Sequence, residues 1–402
     1  MIILRSRLMQ SLVALGVFIH PDVCWAQQPE PAMEPDFTEG SQESPRDDQP
    51  QVTKQLPETH EKLNAPKLIT DLEKAVEPKL ELGEHDISGV LVVQGNAGNG
   101  TAFLANYHDR LVVFTNQHVL AGQESVQILT QQGQTLQFTE IHAANNADLL
   151  MMMVAEAPER ATPLPVALDD AHVAIDLVSV IPGNAQGDGV VTITGGHVQA
   201  IGPQRLEVSN PVYPGNSGSP VIENKSGLVI GVLTEATTLS GGAIETASFQ
   251  SPNSSIKHEV RYFAHRITTV EQWKPLDWRA FQRMHADLEK TEEELMDLVT
   301  YFTERSAPIT VPAISRADQE LGEILNSTRS PRDKMAGLTR FLRDLQAVIR
   351  TAQQRVAGRP TVYVHEERRK NLMELADNLS QGIGRLENDQ RFLDSLTRRR
   401  RR

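Results

Sequence analysis

The 402-residue chain has one cysteine, Cys24, and after its N-terminus no stretch that approaches 18 uninterrupted apolar residues. Cys24 lies in a segment read as removed, so a disulfide framework, a cysteine nucleophile and a cysteine-ligated zinc site are excluded for the mature chain. The lack of a long apolar run excludes a membrane span. Positive charge is also short: 39 Lys and Arg against 52 Asp and Glu leave a net charge of −13, which argues against a general nucleic-acid binder. The 12 histidines are scattered, with no His-x-x-x-His pair, so no metal or other cofactor is expected.

Residues 1–26 have the features of an export signal. Arg5 and Arg7 precede the mostly apolar stretch Leu8–Ile19, Pro21 breaks it, and Cys24-Trp25-Ala26 presents small residues at the −3 and −1 cleavage positions. Lipidation at Cys24 is the weaker alternative, because Pro21-Asp22-Val23 lacks a small residue just ahead of the cysteine. The mature chain is therefore expected in a periplasm or outside the cell. Residues 27–62 are acidic and proline-rich: 27–60 alone hold six prolines and eight acids against two bases, too little apolar surface to offset chain entropy, so a disordered tether is expected. A short helix is expected between Leu63 and Leu82, interrupted by Pro66 and Pro78.

From Ile87 onward, short apolar runs alternate with Gly, Asn and Asp clusters. They are Val90–Val93, Ala102–Ala105, Leu111–Thr115, Val126–Leu129, Leu149–Val154, Leu177–Ile181, Val190–Thr194, Val221–Ile222 and Val229–Leu233. Strands of this length and spacing predict an all-β barrel or sandwich. From Trp273 apolar residues follow a three-and-four spacing instead: Phe281, Met284, Leu288, Leu295, Leu298 and Phe302, then Leu338–Ile349, then Leu372–Leu396. These rows predict amphipathic helices in a hairpin or small bundle, with breaks at Pro308, Pro312, Pro331 and Pro360. The chain ends in five arginines, Arg398–Arg402, read as a solvated tail.

Three motifs in the β region carry the chemistry: Thr115-Asn116-Gln117-His118-Val119, Asn145-Asn146-Ala147-Asp148-Leu149-Leu150, and Gly215-Asn216-Ser217-Gly218-Ser219-Pro220. Each alone is weak; a histidine after a strand is more often structural, Asp148 could be a turn residue, and Gly-Asn-Ser-Gly could be a tight turn. Together they supply what a serine nucleophile needs, an adjacent base and an acid that fixes that base's tautomer. His108, His142 and His172 are the lesser alternatives to His118, and Asp169, Asp170 and Asp176 are read as connector charges. Met151–Met153 is read as core on a strand.

With these motifs, and with Gly98-Asn99-Gly100-Thr101-Ala102-Phe103, the stretch Ser88–Thr238 resembles the trypsin-like serine protease family, in particular its bacterial high-temperature-requirement (Deg) branch. The resemblance implies two antiparallel six-stranded barrels; the α-helical C-terminal region that follows them is expected from its apolar spacing. It implies His118 as general base, Asp148 as its orienting acid, Ser217 as nucleophile, and the Gly215 and Ser217 N–H groups as oxyanion hole. Asn216 stands where digestive members carry the aspartate that pairs with a new N-terminus, so activation of that kind is not expected. Pro211, Thr234 and Glu235 fall at the substrate pocket; with Pro211 six residues before the nucleophile, no acid is there to attract Lys or Arg, and Glu235 is the one residue that could reverse that reading. The helical part has no counterpart in that branch, which carries a β-rich peptide-binding module instead.

The domains expected are therefore a signal over 1–26, a tether over 27–62, a protease domain over 63–270 and a helical region over 271–402. The function expected is an exported serine endopeptidase acting on polypeptides through an acyl-enzyme. The rival is a catalytically silent binding or scaffold protein that keeps the barrels and assembles through its helices. The helices are expected to form a separable unit, packed on each other, on the barrels, or on another subunit in a homo-oligomer.

Overall fold

In a computed structural model the described residues are 86–239, 259–303, 311–358 and 362–399, with backbone alone for 235–239, 259, 303 and 389–399. The expected signal, tether and first short helix lie outside them, as do Pro308, Pro360 and Arg400–Arg402. Among the described residues no helix is long and apolar enough to cross a membrane.

Strands β1 (Val90–Gly95), β2 (Asn99–Tyr107), β3 (Arg110–Thr115), β4 (Val126–Leu129), β5 (Phe138–Ala144) and β6 (Leu150–Val154) form an antiparallel sheet, with the four-residue helix α1 (Gln117–Leu120) directly after β3. The short β7 (Leu164–Pro165) adds in parallel to β2, and β14 (Trp273–Pro275) pairs with β5. The order β14-β5-β6-β3-β2-β1-β4, with β7 beside β2 as the eighth strand, makes a half-barrel, not the closed six-stranded barrel expected for this half. The reason lies at β5, whose second edge is taken by β14; β4 reaches only the Leu129–Thr135 bridge ahead of β5. The sheet therefore runs on past the boundary expected at Val270.

The second half is the closed six-stranded barrel expected. It consists of β8 (Val178–Gly183), β9 (Thr192–Ile201), β10 (Arg205–Val208), β11 (Pro220–Glu223), β12 (Val229–Leu239) and β13 (Glu259–His265), in the order β10-β13-β12-β11-β8-β9. Ile181, Val198, Leu206, Val221, Ile230 and Leu233 fill its interior. A separate cluster joins the two halves: Phe103, Phe114, Leu149 and Met151 from the first sheet meet Val180, Ile222 and Val232 from the barrel. Burying so many large apolar side chains, at about 1.5–3 kcal/mol each, holds the halves in one arrangement. Met151 and Met152 are core, as their strand pattern implies.

The C-terminal helices are α2 (Trp278–Thr303), α3 (Pro312–Asn326), α4 (Pro331–Arg355) and α5 (Tyr363–Arg399). Pro312 and Pro331 lie at breaks between helices, each in the first turn of the helix that follows, where its missing N–H has no partner to lose. Ser330 caps α4 by accepting the Asp333 N–H. Leu288, Leu295 and Leu298, Phe341, Leu342 and Leu345, and Leu379 and Leu386 form one bundle core. Phe281 leaves that row and joins the first sheet's outer cluster, beside Leu120, Leu150 and Met152, together with Val362 at the start of α5. The helices thus cover one face of the half-barrel. The side chains of Leu393 and Leu396 lie outside the described residues.

Candidate active site

The register places two of the three motifs side by side. Thr115, last in β3, pairs with Leu150, first in β6, so the chain leaves the sheet at Asn116–His118 beside Asp148. The Asn116 amide donates to the Asp148 carbonyl at 2.8 Å. The Asp148 carboxylate accepts the His118 backbone N–H at 3.1 Å, and its Oδ2 lies 2.5 Å from His118 Nδ1. Burial of Asp148 raises its pKa, but the adjacent His118 charge and hydrogen bonds outweigh that, and the net position is below the ordinary carboxylate value. Asp148 is therefore ionised at neutral pH and fixes the imidazole with Nε2 directed away from it.

Ser217 stands in the turn before β11. The turn is locked to β12 by Gly218 N–H to Leu233 O and Leu233 N–H to Ser219 O, both 2.9 Å, which brings Thr234 alongside. The Ser217 hydroxyl donates to the Thr234 carbonyl at 3.4 Å, while the Thr234 hydroxyl donates to Asp148 Oδ2 at 3.0 Å. One buried residue of the second barrel thus touches both Ser217 and Asp148. Thr234 is one of the residues expected at the substrate pocket, and its hydroxyl is committed to Asp148.

Thr101 on β2 ties the same turn to the first sheet. Its Oγ1 donates to Gly215 O at 2.7 Å and accepts the Asn184 N–H at 2.9 Å, and its own N–H donates to Ser217 O at 2.9 Å. Gly215 and Gly218 have φ of +92° and +88°, where a side chain is strained. A Cβ on Gly215 would sit 2.2 Å from Asn184 O, and one on Gly218 would sit 1.9 Å from Thr101 O. Close packing within the protein, rather than room for a substrate alone, requires both glycines. Among the described residues, the Gly215 and Ser217 N–H groups have no hydrogen-bond acceptor.

Pro211 is exposed in the loop after β10. Glu235 lies on β12 opposite Phe263, and its side chain is outside the described residues. The alternative histidines sit elsewhere: His108 in the β2–β3 turn, His142 on β5 against Glu140 at 3.0 Å, His172 in a short 3-10 turn. Asp169 caps that turn, and Asp170 pairs with Arg266 next to β13.

Sequence reasoning passes over His265, reads Thr101 only as part of the glycine-rich strand, and places Thr234 in the pocket without its contact to Asp148. Thr234 and His265 lie in strands that carry no motif of their own. His265 on β13 is buried; desolvation pushes its pKa down to about 4, with Asp148 pulling the other way, so it is neutral behind the site. Among the described residues no cluster of side chains could hold a metal ion.

Residues 100–232 match the family model of the trypsin-like peptidase domain, a stretch that includes all three motifs. No curated protein matches the chain. Solved structures do, among them the serine endoprotease from Yersinia pestis, at 20% identity and a TM-score of 0.33, over 44% of this chain. The match spans 58% of the length of that endoprotease.

Proposed function

We propose that the chain is an exported serine endopeptidase of the trypsin-like kind, with Ser217 as nucleophile, His118 as general base and Asp148 as orienting acid. The observation that carries this reading is the connection of all three: His118 Nδ1 on Asp148 Oδ2 at 2.5 Å, and Asp148 joined through Thr234 to Ser217. Ser217 turns from the Thr234 carbonyl toward His118 Nε2 and attacks the peptide carbonyl carbon while its proton passes to Nε2. The oxyanion takes the Gly215 and Ser217 N–H groups. The C–N bond breaks as the imidazolium protonates the leaving amine. Water then attacks the acyl-enzyme, again giving its proton to His118, and the acid product leaves Ser217 regenerated.

Two further observations support the reading. The two N–H groups lack acceptors within the described residues, as an oxyanion site requires. The apolar, Arg-containing leader over 1–26 supports export to a periplasm or beyond. A protease domain that begins near residue 63 and runs through β14, followed by the helical region, is part of the same proposal, with polypeptides as substrates.

A serine-reactive phosphonate with an ester substrate tests it. Labelling should map to Ser217, and Ser217→Ala should lose about six orders of magnitude in kcat. Failure of the wild-type chain to label or to hydrolyse would favour a silent protease-fold scaffold instead.

A further inference from the structure

The helix that bears His118 is a single turn, and its flanking Asn116 makes no side-chain cap. Such a short helix has no stability of its own. Its backbone groups are held from far along the chain. Gln282 on α2 accepts the Gly122 N–H through Oε1 and donates through Nε2 to Leu120 O, each at 2.8 Å. Gln117, fully buried, donates to the carbonyls of Ala144, Ala147 and Leu149 at 2.9, 3.0 and 3.2 Å, a ring around the Asp148 loop. Its remaining oxygen accepts the Val364 N–H at 3.0 Å.

Val364 lies in the first turn of α5, where a helix leaves its N–H groups without internal partners. Gln117 therefore caps α5 from inside the half-barrel. The neighbouring Tyr363 accepts from Arg205 on β10 at 3.1 Å and sits edge-on to His265 of β13, with ring centroids 5.9 Å apart. The first turn of α5 thus touches both the half-barrel, which supplies His118 and Asp148, and the closed barrel, which supplies Ser217.

We infer that the helical bundle is a positioning element for the His118–Asp148 pair, acting through Gln282 and through the Gln117–Val364 bond. This rests on the reading of His118 as general base. Gln117 and Gln282 touch no substrate. They set where the imidazole stands relative to Ser217, and a misplacement of about 1 Å is enough to cost about 100-fold in rate.

The test uses the full chain. Gln282→Leu keeps the volume and helix propensity of α2 and removes both hydrogen bonds to the His118 helix; Gln282→Glu keeps only the acceptor for Gly122. Arg355→Gln, which breaks the bidentate pair with Glu294 inside the bundle, serves as a stability control away from α1. Below the melting transition, with folding checked by circular dichroism, Gln282→Leu should lower kcat on a small ester by about 10- to 100-fold with KM within about twofold, and slow phosphonate labelling by the same factor. Gln282→Glu should fall between it and wild type, and Arg355→Gln should lower the melting temperature with kcat unchanged. If Gln282→Leu does not fold, Gln282→Glu alone carries the comparison. Wild-type kcat in the folded Gln282 variants, or an equal loss in Arg355→Gln, overturns the inference. Retained turnover in Ser217→Ala or His118→Ala would instead overturn the triad, so the two failures are distinct.

Discussion

Two buried histidines make the fold sensitive to mild acid. His265 is buried on β13, and burial holds its pKa down at about 4 against an ordinary 6.5, with the Asp148 charge pulling the other way. His365, in the first turn of α5, is held down to about 3, chiefly by burial, then by His285 and Arg368. Its ring stacks on Phe281 with centroids 4.7 Å apart, and its Nε2 has no hydrogen-bond partner. Both histidines stay neutral in the folded chain while the unfolded chain takes up protons below about pH 6.5. The unfolded state then binds more protons, so stability is full above that pH and is lost as pH falls toward the folded values.

The size follows from the same values. At about pH 5 each histidine costs about 2 kcal/mol, against about 0.2 kcal/mol at about pH 7, so the pair removes about 4 kcal/mol over that interval. A domain stable by about 5–15 kcal/mol feels that loss. The perturbation is His365→Leu. At neutral pH its effect is small, since loss of an orphaned nitrogen, about 1–3 kcal/mol, offsets loss of ring stacking, about 0.5–1.5 kcal/mol. In acid it should recover about 2 kcal/mol relative to wild type. Urea unfolding followed by circular dichroism at the two pH values measures the difference. A variant as acid-labile as wild type would refute the placement of a neutral, buried His365.

Three further outcomes concern the site. Thr234→Val removes the hydroxyl that donates to buried Asp148, so it should cost about 1.5–3 kcal/mol of stability and lower kcat, with Thr234→Ser largely sparing both in the same melting and ester assays. Asp148→Asn should leave the fold intact but cut kcat about 10⁴-fold, because the imidazole loses the partner that sets its tautomer; a loss under tenfold would remove Asp148 from its role. Peptide-library cleavage should favour small or medium apolar residues before the cut, and a strong Arg preference abolished by Glu235→Gln would assign specificity to Glu235.

The β core was legible where strands are apolar throughout. Runs such as Val90–Val93 and Leu111–Thr115 match most of β1 and β3, where the apolar residues are buried in succession. The strands passed over are β5, β7, β10, β13 and β14. In Phe138–Ala144, Arg205–Val208 and Glu259–His265, charged or polar residues alternate with apolar ones, which weakens an apolar-run signal. Trp273–Pro275 reads as the approach to a helix, and only tertiary pairing with β5 makes it a strand. Helix α3 escaped because its apolar positions Ile314, Ala317 and Leu321 are few and include a small one. The motifs bearing His118, Asp148 and Ser217 stand out because chemistry restricts their residue types. Thr101, Gln117, Thr234 and Gln282 act through contacts many residues distant, and periodicity carries no sign of those.

The contacts between helices and half-barrel decide what a chain ending at Val270 would do. From sequence, the helices read as separable, and such a chain is expected to keep some hydrolysis of a small ester or peptide while changing its mass in solution or its activity on folded proteins. The structure places four pieces of the half-barrel's support beyond that point. β14 satisfies the open edge of β5, Phe281 and Val362 are buried in the outer cluster of the first sheet, Gln282 holds the His118 helix, and Val364 occupies the Gln117 oxygen. Removing Phe281 and Val362 alone uncovers apolar surface worth about 3–6 kcal/mol, a large share of a domain's stability. The shortened chain should therefore aggregate, or fold with ester turnover reduced at least as far as in Gln282→Leu. Light scattering beside an ester assay distinguishes these states. A monodisperse shortened chain with wild-type kcat would mean that the two barrels position His118 unaided, and that the bundle serves assembly alone.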